Sequence, residues 1–270
     1  MTRVHFLSRG RREMQFMRHL PRLGYEPVVL AGRDVQLAYA SAEAAREVDV
    51  PLVIDVEQPA QIRRVPAAAV ALVVRTARAQ KLVPRSSVVP DGFDPDDFVG
   101  APPERDDGRF RIVVDGSAAR LLEALDRVDR ERRGVIELER ASEADFRSGD
   151  LLFLTTDDAC TIPNRTYDYL AAGRPILAAV PEGETSELLE HAGTAHVCGP
   201  ADAKGIAGAI EAELGRWETR GSVAHCHPAE LEPHTWSRVT ERLAAVFDTV
   251  LGREHAERPV VERLVASSRF

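Results

Sequence analysis

An arginine and a carboxylate three residues apart mark the most informative stretch of this sequence, Ile162-Pro163-Asn164-Arg165-Thr166-Tyr167-Asp168-Tyr169-Leu170-Ala171-Ala172-Gly173-Arg174-Pro175. The pattern reads loop, helix, glycine stop and strand, which places Arg165 and Asp168 on one face of a helix's first turn. Two chemistries fit such a pair. One is a surface ion pair in a helix that Gly173 caps. The other is a guanidinium on a diphosphate beside a carboxylate on a ribose, as carboxylates bind ribose in nucleotide folds. Spacing alone leaves both open.

Other candidates sit where strands are expected to end. Ser8-Arg9-Gly10-Arg11-Arg12 follows the first strand and offers guanidinium forks for phosphate, with Gly10 and Arg11 as donor-binding candidates. Glu57 follows the run Leu52 to Val56 and is a candidate base. Gly116 and Ser117 precede Arg120, so their amides and that guanidinium could meet phosphate at a helix start. Gly183, Glu184, Thr185 and Ser186 open a later helix. The only lysines are Lys81 and Lys204, so any phosphate site must rely on arginine or on backbone amides. His225-Cys226-His227 with His234 fits no common zinc spacing, and no metal is expected. P-loop, dinucleotide-binding, nucleophile-elbow and zincin motifs are all missing.

The elements that must position these residues alternate. Short β-rich runs at 4–7, 27–31, 52–56, 69–74 and 87–90 interleave with helical patterns at 43–48 and 76–82, and with an early helix carrying Met14, Met17, Leu20 and Leu23. A second alternation follows, with strands at 110–114, 134–138, 151–154, 175–179 and 195–197 and helices near 120–128, 166–172, 185–191 and 203–214. This alternation predicts an α/β fold of two Rossmann-like domains with parallel sheets facing a cleft. Pro, Gly and Asp crowd residues 92–108, which sets the expected units at 1–95 and 96–252, with 253–270 as a polar tail or helix. Trp236, Val239, Leu243, Val246, Phe247 and Val250 form one apolar stripe fit to dock on a sheet.

With 270 residues, 44% of them hydrophobic and 29% charged, the chain is large enough for two cores and is not disordered. Its net charge of −8 argues against nucleic acid as a partner. Three scattered cysteines suggest a reducing compartment, and no run is long enough for a transmembrane segment or shaped like a secretory signal. The expected location is the cytoplasm.

The 162–177 segment resembles the sugar-nucleotide signature of retaining glycosyltransferases of family-4 type, which have the GT-B fold. Val88-Val89-Pro90-Asp91-Gly92-Phe93-Asp94 resembles the segment joining that family's two domains, and Glu182 to Leu188 followed by Ala192-Gly193 resembles its next helix. The resemblance covers residues 86–250 best, with the first domain shortened. It implies sugar transfer, with retention, from a nucleoside diphosphate sugar as co-substrate to an unknown acceptor, without cofactor or metal. Arg165 and Arg120 would meet the diphosphate, Asp168 the ribose, and Gly116 and Ser117 a phosphate. Pro163 and Asn164 would line the donor loop, and Glu184 to Ser186 the sugar. Two departures stand out. Cys160 replaces the first acidic residue of a pair spaced by seven, for which Asp157 or Asp158 would have to substitute, and no lysine accompanies Arg120. They motivate an alternative, a degenerate GT-B-like protein that binds nucleotide sugar or a protein partner without turnover. A nucleotide-sugar epimerase of the same architecture would need acidic and histidine groups around the sugar that the sequence does not place.

Overall fold

The computed structural model describes residues 1–29, 35–46, 48–99, 107–141, 146–220 and 231–253. Two parallel sheets organise them. The first is built from β1 (Thr2–Phe6), β2 (Tyr25–Val28), β3 (Leu37–Ser41), β4 (Leu52–Val56), β5 (Ala69–Val74) and β6 (Ser86–Val88), in the order β2-β1-β3-β4-β5-β6. The second contains β7 (Phe110–Val114), β8 (Ile136–Arg140), β9 (Leu151–Thr155), β10 (Ile176–Ala179) and β11 (Ala195–Cys198), in the order β11-β10-β9-β7-β8. Every pairing is parallel. All five residues of β4 are buried, as are all four of β10, because helices cover both faces of a parallel sheet. The expected α/β architecture of two Rossmann-like sheets is thus present.

Helices α1 (Arg11–His19) and α2 (Ala77–Leu82) belong to the first sheet. The second carries α3 (Ala119–Leu125), α4 (Arg130–Arg133), α5 (Asn164–Ala172), α6 (Glu184–Ala192) and α7 (Ala203–Arg220), and α8 (Trp236–Val250) follows. The range 96–252 groups α8 with the second unit, whereas its stripe of Trp236, Val239, Leu243 and Phe247 shares a core with Val4, Phe6, Phe16, Leu20 and Tyr39 of the first. Trp236 stands edge-on to Phe16, with ring centroids 5.8 Å apart.

Three local expectations change. Leu37–Ser41 is a strand that helix-compatible alanines conceal; Ala38 and Ala40 are its buried small residues. Residues 43–46 and 48, expected helical, contain a turn closed by Ala44 N donating to Ser41 O and no helix. In α1 the buried face is Arg12, Glu13 and Phe16, continued by Leu20, while Met14 is 56% exposed. The residues 254–270 of the expected tail lie outside the described residues.

The chain crosses between the sheets twice, and the two crossings touch. Phe93 N donates to His234 O and Trp236 N to Phe93 O, at 3.1 and 3.0 Å, forming a parallel bridge between Phe93 and Thr235. Gly92 lies so close to this bridge that a Cβ would stand 2.4 Å from the His234 carbonyl oxygen. Gly92→Ala is therefore expected to destabilise the protein by about 1–3 kcal/mol, read from the urea midpoint.

The His234 ring packs against Tyr167 at 5.3 Å, and burial, assisted by Arg242, pulls its pKa down to about 4. The unfolded chain, at about 6.5, takes up this proton first. The contribution to stability is full above that value and is lost as pH falls toward 4. Melting curves from pH 8 to 4 are expected to show a smaller loss for His234→Gln than for the wild type.

Candidate functional site

The carboxyl ends of parallel strands and the helix starts that follow them meet between the two sheets, where open α/β sheets bind ligands. Arg11, the first residue of α1, reaches Asp168 of α5 through two hydrogen bonds of 3.0 and 2.9 Å. Asp168 is 2% exposed while the Arg11 side chain is 41% exposed, so the carboxylate is fixed inside and the guanidinium remains open to the cleft. The bond to Asp168 is the main cause that raises the Arg11 pKa. Arg165 lies 3.6 Å from the same carboxylate, and its guanidinium stacks over the Phe146 ring at 5.1 Å from the centroid. Tyr169 stands edge-on to the same ring at 5.3 Å, and its buried hydroxyl has no hydrogen-bond partner among the described residues. Arg11 is thus brought to Arg165 and to Asp168, which lies 157 residues away from it in sequence.

Arg11 is held in place through its neighbour. Arg12 is 4% exposed and donates from Nε to Asp55 at 2.8 Å, and from Nη1 to Asp91 and Pro90 O, each at 2.6 Å. Burial opposes its charge, but Asp55 and Asp91 outweigh it and keep the guanidinium pKa well above its ordinary value. Tyr39 donates to Asp55 at 2.9 Å, and Arg75 makes an ion contact with Asp91 at 3.1 Å. Burying charges is costly, but here each is paired, and α1 is tied to β4 and to the start of the first crossing. The sequence pattern does carry a signal for this: Arg12, Phe16 and Leu20 recur every four residues, and the Arg12 guanidinium lies 4.8 Å from the Phe16 ring centre.

A second set of contacts spans the cleft at α2. Thr76 caps α2 by accepting from Ala79 N at 3.1 Å and donates its hydroxyl to Cys160 O at 2.6 Å. Arg78 N donates to the Glu184 carboxylate, and the Arg78 guanidinium pairs with Glu187. Neither Thr76 nor Arg78 is signalled by the sequence as a cleft residue, since an N-cap threonine reads as local.

The other candidates divide. Arg120 donates to Thr155 Oγ1 at 2.6 Å and pairs with Asp157, so it lies at the end of β9 with its charge matched. Gly116 turns there with a φ of +82°, and Ser117 Oγ accepts from Ala119 N within its own turn at 3.3 Å. Pro163 and Asn164 form the start of α5, which has no side-chain cap. Gly10 precedes α1 as its N-cap. Asp158 accepts from Cys160 N at 2.7 Å, which turns the loop.

The expected roles of Thr185, Ser186 and Glu57 do not match their surroundings. Thr185 donates to Thr161 O at 2.9 Å, and Ser186 accepts from Gly183 N at 2.9 Å. Both hydroxyls are buried and engaged, Thr185 with the 159–161 loop and Ser186 with the Gly183 turn. Gly183 packs on that loop, where a Cβ would meet Ala159 O at 2.3 Å. Glu57, half exposed, pairs with Arg75 at 2.9 Å just past the carboxyl end of β4. His225, Cys226 and His227 lie outside the described residues.

Solved structures share this fold. HepE from Anabaena, in complex with UDP-glucose, aligns with a TM-score of 0.67 at 12% identity, covering 92% of this chain and all of its own. A glycosyltransferase from Rickettsia africae aligns with a TM-score of 0.65 at 10% identity, covering 94% of this chain and 99% of its own. The α,α-trehalose-phosphate synthase (UDP-forming) from Burkholderia xenovorans, in complex with glucose-6-phosphate, aligns with a TM-score of 0.58 at 12% identity, covering 88% of this chain and 76% of its own. No protein-family model and no curated protein matches the sequence. At these identities the likeness is one of fold, the two-sheet GT-B architecture.

The pair Arg11 and Asp168 is expected to couple the two sheets. A double-mutant cycle of Arg11→Ala and Asp168→Ala, read by chemical denaturation, should give a coupling of about 1 kcal/mol, reduced from the range for buried bidentate pairs because water screens the Arg11 end.

Proposed function

We propose that this protein transfers a sugar from a nucleoside diphosphate sugar to a hydroxyl-bearing acceptor. The observation that carries the reading is the meeting of Arg11, Arg165 and the buried Asp168 at the start of α5, between the carboxyl edges of two parallel sheets. Two guanidinium groups there suit a diphosphate, and Asp168, once Arg11 turns to the phosphates, suits ribose hydroxyls. UDP-glucose in HepE and the UDP-forming activity named for the Burkholderia enzyme make a uridine nucleotide the first donor to try.

In this reading Arg165 and Arg11 stabilise the negative charge that builds on the departing diphosphate, which is the main demand of glycosyl transfer. Arg120 joins them by exchanging Asp157 for a phosphate oxygen, and the Gly116 and Ser117 amides flank it. Pro163 and Asn164 shape the donor loop, and Glu184, on leaving the Arg78 amide, faces the sugar from the start of α6. Retention at the anomeric carbon, a hexose as the transferred sugar and membership of the family-4 type follow from the resemblance of the 162–177 segment. The donor is the only co-substrate required, with no cofactor, and the reaction takes place in the cytoplasm. The units 1–95 and 96–252 supply the acceptor and donor sides, the first completed by the packing of α8.

A specific observation favours a second reading, binding without turnover. Cys160 stands where a sugar-facing carboxylate belongs, and the two nearby acids are engaged, Asp157 with Arg120 and Asp158 with Cys160 N. Turnover separates the two readings: release of UDP from UDP-glucose supports the transferase, whereas a melting shift with UDP and no turnover of any donor supports the binder.

UDP and UDP-glucose are expected to raise the melting temperature in a concentration-dependent way. Arg165→Ala should weaken nucleotide affinity roughly 10- to 100-fold, the value of a charge-assisted contact. Unchanged affinity in that variant, measured by titration calorimetry, would remove the diphosphate assignment.

A further inference from the structure

The tip of α2, carried by the first sheet, stands on two segments of the second half at once. Thr76 is only 3% exposed and donates its hydroxyl to Cys160 O at 2.6 Å. The Arg78 amide donates to the Glu184 carboxylate, and the Arg78 guanidinium pairs with Glu187 further along α6. These are the loop and the helix start that the transferase reading gives to the sugar. In the free protein the Glu184 carboxylate is therefore already occupied, and by the chain itself.

Each side of this contact is built without the other. On the first sheet, Arg75 is fixed by Glu57 and Asp91 at 2.9 and 3.1 Å. Thr76 Oγ1 also accepts from Ala79 N at 3.1 Å, so α2 keeps its cap whether or not the hydroxyl reaches Cys160. In the second half, Glu184 N donates to Ala159 O at 3.0 Å and Thr185 Oγ1 to Thr161 O at 2.9 Å, which holds the loop against α6. Parting α2 from α6 thus breaks the bonds between them and leaves both supports whole. Those bonds are modest, because the Arg78 and Glu187 side chains are 38% and 57% exposed and water and salt screen their pair.

We propose that the tip of α2 is an autoinhibitory latch: Thr76 and Arg78 hold the sugar end of the cleft shut, and an entering nucleotide sugar displaces them from Cys160 and Glu184. The identity of the displacing ligand rests on the transferase reading; the closed contact does not. A ligand that needs the open form binds with an affinity lowered by the fraction of molecules that are open. Weakening the latch therefore tightens binding, the opposite of what losing a ligand-binding group does.

Arg78→Ala and Glu187→Gln each remove the ion pair and keep the Thr76 cap. Hydrogen exchange followed by mass spectrometry on the ligand-free, full-length proteins is expected to run several-fold faster in both variants across residues 76–82, with the buried strand 151–155 unchanged. Raising KCl to about 1 M should speed the same segment in the wild type and add little in the variants. In titration calorimetry UDP-glucose should bind both variants roughly 2- to 5-fold more tightly than the wild type, the value of one exposed ion pair. Exchange that is unchanged in both variants, or that rises equally at 151–155, overturns the latch. So does unchanged or weaker UDP-glucose affinity beside faster exchange, which would make these contacts part of the bound state. If none of the three proteins binds UDP-glucose while the exchange difference is present, the transferase reading falls and the closed contact stands.

Discussion

Everything at the cleft depends on one buried guanidinium. Arg12 sits between Asp55 and Asp91 and takes the carbonyls of Val89 and Pro90 as well, so a single side chain joins the first helix, the central strand of the first sheet and the departing connection. Because Arg11 is its neighbour in the chain, fixing Arg12 inward presents Arg11 outward to Asp168. A helix has 3.6 residues per turn, so adjacent side chains point about 100° apart. Two consecutive arginines of identical chemistry thereby acquire opposite tasks, one holding the scaffold and the other facing the ligand space.

Charge is unevenly shared between the two halves. Residues 1–95 hold 14 Lys and Arg against 10 Asp and Glu, and the remainder 21 against 33. The contacts across the cleft follow that division, with Arg11 on Asp168 and Arg78 on Glu184 and Glu187. The diphosphate proposed to bind between the halves would meet Arg11 from the first, and Arg165 and Arg120 with their loops and helix starts from the second. The acidic side chains of the second half near there, Asp157, Asp158, Glu182 and Glu184, would repel such a ligand more strongly if Arg120 did not pair with Asp157 and the Arg78 amide did not bond Glu184.

Much of this was legible in the sequence where local and global preferences agree. Strand Phe110–Val114 and the run Asn164 to Gly173 carry both the right pattern and the right caps, and the structure places them as the pattern implies. Leu37–Ser41 escapes notice because alanine is a helix former, and only its position between two buried strands makes it extended. Glu57 follows a strand and Thr185 and Ser186 open a helix, and nothing local distinguishes a hydroxyl that braces a loop or turn from one that meets a ligand. Glu13 and Arg12 are hidden for the opposite reason. A charged residue in a helix's first turn reads as solvated, and its burial arises from strands that are distant in the chain.

The two crossings between the sheets lie side by side, bridged at Phe93 and Thr235 and closed off by Gly92 against the His234 carbonyl. Two adjoining tethers would confine any relative motion of the halves to one pivot. Opening the space between the sheets would then have to part the contacts of Thr76 and Arg78 with Cys160 and Glu184 as well as the Arg11 and Asp168 pair.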